Sequence, residues 1–106
     1  MNTTIQSVGF SATNSLTSFT EKKVEKIFKQ YPDAIRIDVS FKIGASKNIE
    51  NKWCSLYLSH KGENQFVKRK SDSFENSLLQ CVEAMEKILR RLTTKKVNQR
   101  NDPPRK

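Results

Sequence analysis

The sequence predicts an α+β fold, with elements in the order β-α-β-β-β-α and two helices on one face of a four-stranded mixed sheet. Three observations carry this expectation: an apolar stripe of helical period ends at Pro32, strict apolar alternation follows it, and a second helical stripe closes the chain. With 106 residues there is material for one domain and one modest core.

The opening segment Thr3–Phe10 reads as a strand ended by Gly9. Thr13 then stands as an N-cap before Leu16, Phe19, Val24, Ile27, Phe28 and Tyr31, whose spacing lines one face of a helix. Pro32 ends that helix, because a proline has no N–H and pushes its predecessor out of helical geometry. From Ala34 the period becomes two, with Ile35, Ile37, Val39, Phe41 and Ile43 alternating with Arg36, Asp38, Ser40 and Lys42. After the polar stretch Gly44–Asn51, Cys54, Leu56 and Leu58 alternate with Trp53, Ser55, Tyr57 and Ser59 as a further strand. A turn over His60–Asn64, with Gly62 inside it, leads to a last short strand at Gln65–Lys70.

Ser73 caps the final helix, in which Phe74, Leu78, Cys81, Met85, Ile88, Leu89 and Leu92 recur at three- and four-residue steps as far as about Lys96. The remainder, VNQRNDPPRK, has no apolar period and contains consecutive prolines. Residues 1–96 are therefore expected as the folded domain and 97–106 as a basic flexible tail. The helical crossover makes the first two strands parallel, and the short hairpins make the others antiparallel.

Lys and Arg number 20 against 11 Asp and Glu, a formal charge of +9 that favours a polyanionic partner. The excess is concentrated late: residues 1–86 carry 12 basic and 10 acidic side chains, residues 87–106 carry 8 and 1. Lys22, Lys26 and Lys29 stack at three- and four-residue spacing opposite the Leu16/Ile27 stripe. Lys87, Arg90 and Arg91 project away from the Leu78/Met85/Leu92 stripe, with Lys95 and Lys96 flanking them. Two such faces side by side would make one positive surface able to track phosphates, although Glu21, Glu25, Glu83 and Glu86 dilute it. The strand cluster Lys68, Arg69 and Lys70 has two readings, protection of an edge strand and extension of an RNA footprint through Lys68. Trp53 and Tyr57 share one register and either stack on bases or pack on neighbouring elements.

Catalysis finds no support. His60 is the sole histidine, beside a turn, and Asp33, Asp38 and Asp72 are scattered. The three glycines are isolated, so no phosphate-cradling loop is present. Cys54 and Cys81 are far apart with no ligand set around them and read as ordinary buried thiols, so neither a metal nor a cofactor is expected. No apolar run approaches the ~20 residues that span a bilayer, and MNTTIQSVG lacks the layout of a signal peptide. The expected location is cytoplasmic, without membrane or small-molecule partners.

The stretches IQSVGFSATNSLTSFTEKKVEKI and SDSFENSLLQCVEAMEKILRRLTTKK, with the alternating Ile/Val strand between them, resemble the ribosome hibernation promoting factor family, also described as ribosome-associated inhibitors or sigma-54 modulation proteins. The likeness covers about residues 3–96 and rests on Thr13, Leu16, Phe19, Lys23 and Ile27, on Asp72-Ser73-Phe74, and on the basic end Lys87–Lys96. It implies a domain that binds 16S rRNA in the mRNA/tRNA channel of the small ribosomal subunit, sterically blocking translation and protecting idle ribosomes under stress. Carried over by position, the basic helix residues of the family match Lys22, Lys23, Lys26, Lys87, Arg90, Arg91 and Lys95. Ser7 stands where many members have glycine, and Tyr31-Pro32-Asp33 alters the usual helix exit. The chain resembles the short form of the family, expected as a monomer off the ribosome. A general structured-RNA binder and a protein-interaction module acting on a transcription factor are the alternatives.

Overall fold

In the computed structural model the sheet order is β1-β2-β3-β4, formed by β1 (Thr3–Val8), β2 (Ala34–Ile43), β3 (Lys52–His60) and β4 (Gln65–Ser71). Helix α1 (Asn14–Gln30) crosses from β1 to β2, which pair in parallel, and the remaining pairs are antiparallel. Helix α2 (Phe74–Asn101) follows β4, completing the expected β-α-β-β-β-α order. The structure describes residues 2–45, 47 and 49–101, and side chains through Leu92.

Each boundary has a local cause. β1 stops at Val8, two residues before the expected end, because Gly9 takes a positive φ of 85° that an extended strand does not allow. The Thr13 hydroxyl accepts from the Leu16 N–H at 3.1 Å and starts α1; at the other end the Tyr31 N–H reaches the Ile27 carbonyl at 2.9 Å before Pro32. Ser73 caps α2 in the same way, its Oγ accepting from the Asn76 N–H at 3.1 Å. The backbone of α2 continues to Asn101, past the expected stop near Lys96, since nothing before Pro103 forbids helix. The rest of the expected tail, 102–106, lies outside the described residues.

Ile37, Val39 and Phe41 from β2, Cys54, Leu56 and Leu58 from β3, and Val67 from β4 line one face of the sheet, and all are buried. Against them pack Leu16, Val24 and Ile27 of α1 and Leu78, Cys81, Met85 and Leu89 of α2. Helix α2 rests on β3 and β4, while α1 contacts β1, β2 and α2. Phe74 joins the layers at their margin, stacked on Phe10 at 4.6 Å and edge-on to Phe41 at 5.4 Å. Ser77 pins α2 to the sheet, its hydroxyl donating to the Lys52 carbonyl.

One expected core residue is displaced. A register shift between Ala34 and Arg36 inserts an extra residue in β2, so Ala34 turns inward at 8% exposure and Ile35 points outward at 49%. Ile43, at the last position of the strand, is also largely exposed. Cys54 and Cys81 are buried free thiols, and Cys81 Sγ donates to the Cys54 carbonyl at 3.1 Å. The hydrogen bond to Cys81 and burial push the Cys54 thiol up, which keeps it protonated and unreactive.

Two measurements follow. Phe41→Ala removes a fully buried ring at the joint of both layers, and urea unfolding should show a loss of about 3–5 kcal/mol. Asp72, just before the α2 cap, is held below the usual carboxylate range by hydrogen bonds from the Asn76 amide and the Ser71 hydroxyl. A depressed folded pKa makes this contribution present above the ordinary carboxylate value of about 3.9 and lost as pH falls through the folded value. Amide protection factors at Asn76 and Ser77 should therefore hold level above about pH 5 and drop in stronger acid, and Asp72→Asn should flatten that dependence.

Candidate nucleic-acid interface

Both helices lie on one sheet face, so the surface they turn away from the core is shared. On α1 the buried line Leu16, Thr20, Val24 and Ile27 leaves Lys22, Lys26 and Lys29 exposed on the opposite side, as a 100° step per residue requires. On α2 the buried line Leu78, Cys81, Met85 and Leu89 leaves Lys87, Arg90 and Arg91 exposed. Lys23 is half-buried, its ammonium 5.4 Å from the Phe19 ring centroid, so its stem covers apolar surface while its charge reaches outward.

The acidic side chains of α1 lie toward one flank of this surface. Glu21 and Glu25 line a groove with Thr3, Ile5 and Thr17 along the open edge of β1, on the flank of α1 away from α2. Glu25 also reaches Lys29 at 4.0 Å, an exposed pair that tempers the charge of Lys29. Lys22, Lys26, Lys87, Arg90 and Arg91 form no ion pair among the described residues. Five cations without an ion-pair partner among the described residues leave this surface with a positive excess, which Glu83 beside Lys87 and Arg91 offsets only in part.

Sequence alternation alone already separates the three cations of β4. Lys68 and Lys70 share the register of Phe66 and point to the sheet face without helices, so Lys68 is not brought together with the helical cations. Arg69 shares the register of buried Val67 and joins Lys87 and Arg91 around a groove that also takes in Gln80, Glu83 and Ile88. Arg69 was missing from the expected set, and period-two counting from Val67 would have found it. The side chains of Lys95 and Lys96 lie outside the described residues.

Among the described residues no helix is long and apolar enough to cross a membrane, and no group of three or more His, Cys, Asp and Glu side chains could hold a metal ion.

The chain is thus an α+β domain in which two helices cover one sheet face and carry basic side chains on their exposed arcs. Residues 3–97 match the family described as sigma 54 modulation protein / S30EA ribosomal protein, and the chain belongs to that family. In fold it is similar to a ribosomal subunit interface protein from Coxiella burnetii, with a TM-score of 0.77 at 19% identity, covering 89% of this chain and 99% of the other. It is also similar to the N-terminal domain of Protein Y from Thermus thermophilus, with a TM-score of 0.73 at 15% identity over 87% of this chain and 99% of that domain. A search of curated protein sequences gives no match.

Proposed function

We propose that this protein is a ribosome-associated hibernation factor, which lays its helical face on 16S rRNA in the mRNA/tRNA channel of the small subunit and blocks translation by occupying that space. The observation that carries the reading is the cationic surface of Lys22, Lys26, Lys87, Arg90 and Arg91, which form no ion pair among the described residues and are joined by Arg69. Membership of the sigma 54 modulation / S30EA ribosomal protein family supports it, as does the likeness to a protein described as a ribosomal subunit interface protein.

The mechanism needs no reacting group. Phosphate contacts from two rigid helices supply affinity and fix orientation, and the bulk of the sheet then excludes mRNA and tRNA. Lys23, Lys29, Lys95 and Lys96 add charge at the margins of this surface. The domain acts in the cytoplasm as a monomer until it meets an idle ribosome, with no cofactor.

Binding through phosphates is steeply salt-dependent: about 6 neutralised phosphates cost roughly a thousandfold in affinity between about 50 and 200 mM salt. Co-sedimentation with purified ribosomes should show that slope for the native protein. Reversing Lys87, Arg90 and Arg91 together to Glu should abolish co-sedimentation at moderate salt while changing the unfolding free energy in urea by no more than about 0.5 kcal/mol per substitution, because all three side chains are exposed. Retention of ribosome binding by a folded triple variant would show that the helical face is not the contact.

A further inference from the structure

The opposite face of the sheet carries no helix, and its composition is unusual for a surface left to water. Three rows cross it: Lys42, Trp53 and Lys70; Ser40, Ser55 and Lys68; Asp38, Tyr57 and Phe66. Tyr57 and Phe66 stand directly opposite each other and are 38% and 58% exposed. The ammonium groups of Lys68 and Lys70 lie 4.8 and 5.4 Å from the Trp53 ring centroid. The indole lies against the Gly44 backbone, where a side chain would begin 2.7 Å from Trp53 Nε1, and the Gly44 N–H bonds the Asn51 carbonyl at 2.7 Å.

Positive charge predominates on this face. Among its strand residues the only carboxylate is Asp38, which Arg36 holds at 3.0 Å and Thr4 also bonds. Lys42, Lys68 and Lys70 are exposed and form no ion pair among the described residues. Exposed Tyr57 and Phe66 and half-buried Trp53, set among ammonium groups that form no ion pair among the described residues, suit a partner that is at once aromatic and anionic. A duplex hides its base faces in its own stack, whereas a single strand offers both bases and phosphates.

We propose that this open sheet face is a second nucleic-acid surface, which takes single-stranded RNA by stacking bases on Tyr57, Phe66 and Trp53 and pairing Lys42, Lys68 and Lys70 with phosphates. Trp53 and Tyr57 are four residues apart on β3, about 13 Å, so more than one base is engaged. The two lysines now over Trp53 are exposed and flexible, and a base stack outweighs such a contact once they turn to phosphates. The surface is independent of the helical one, because the whole sheet and core lie between them.

Trp53 is the only tryptophan, so its fluorescence reports the event directly. Titration of the full chain with a (U)10 oligoribonucleotide, without ribosomes, should quench Trp53 emission saturably. Phe66→Leu, which keeps an apolar side chain but removes the stacking ring, should weaken binding about five- to tenfold, and Lys68→Glu with Lys70→Glu should abolish it. The triple reversal of Lys87, Arg90 and Arg91 should leave the quenching intact, so this outcome is separate from ribosome binding. Absence of quenching, equal quenching by a ten-base-pair RNA duplex, or an unchanged affinity in Phe66→Leu would overturn the proposal. Quenching by a poly-glutamate peptide as strong as by (U)10 would overturn it in favour of an acidic protein partner.

Discussion

A four-stranded sheet of six- to ten-residue strands has two faces, and this chain covers one of them. Leu16, Val24 and Ile27 of α1 together with Leu78, Cys81, Met85 and Leu89 of α2 are buried against the single apolar register of β2, β3 and β4. Burial of apolar area is the dominant favourable term in folding, and the buried core of the described residues lies in this one seam. The seam dictates orientation for everything else. Once each helix must present its apolar stripe to the sheet, its polar arc faces solvent, and whatever charge the sequence places on that arc becomes surface.

The same constraint sorts the charges. Positions roughly opposite the stripe hold Lys22, Lys26, Lys87, Arg90 and Arg91, whereas Glu21 and Glu25 fall on the flank toward β1. On α2 the sorting is incomplete, because Glu83 borders the groove of Arg69, Lys87 and Arg91 and offsets part of their field. Guanidinium groups such as those of Arg69 and Arg91 can grip phosphate oxygens through paired N–H groups. Rigidity matters as much as charge, since side chains on packed helices lose little further freedom on binding.

Much of this was legible in the residues. Period two from Ile37 to Phe41 and from Cys54 to Leu58 placed the central strands, and Thr13, Pro32 and Ser73 marked helix boundaries that the backbone obeys. What escaped had local physical causes. Nothing in AIRIDV announces a bulge, so Ile35 was counted in the core although Ala34 takes that place. Linear proximity grouped Lys68, Arg69 and Lys70, although alternation sends Arg69 to the helical side and its neighbours to the other. The segregation of Glu21 and Glu25 needed the position of β1 at the sheet edge, which composition does not contain.

The seam aims two basic helices outward; in the proposed occluding role, phosphates would hold them while the domain fills space that mRNA and tRNA require. Competition tests that claim most directly. Small subunits preloaded with the protein would be challenged with mRNA and its matching tRNA, and the bound protein measured after sedimentation. Release of the protein in proportion to mRNA and tRNA bound is the predicted result; subunits that hold protein, mRNA and tRNA together would contradict occlusion.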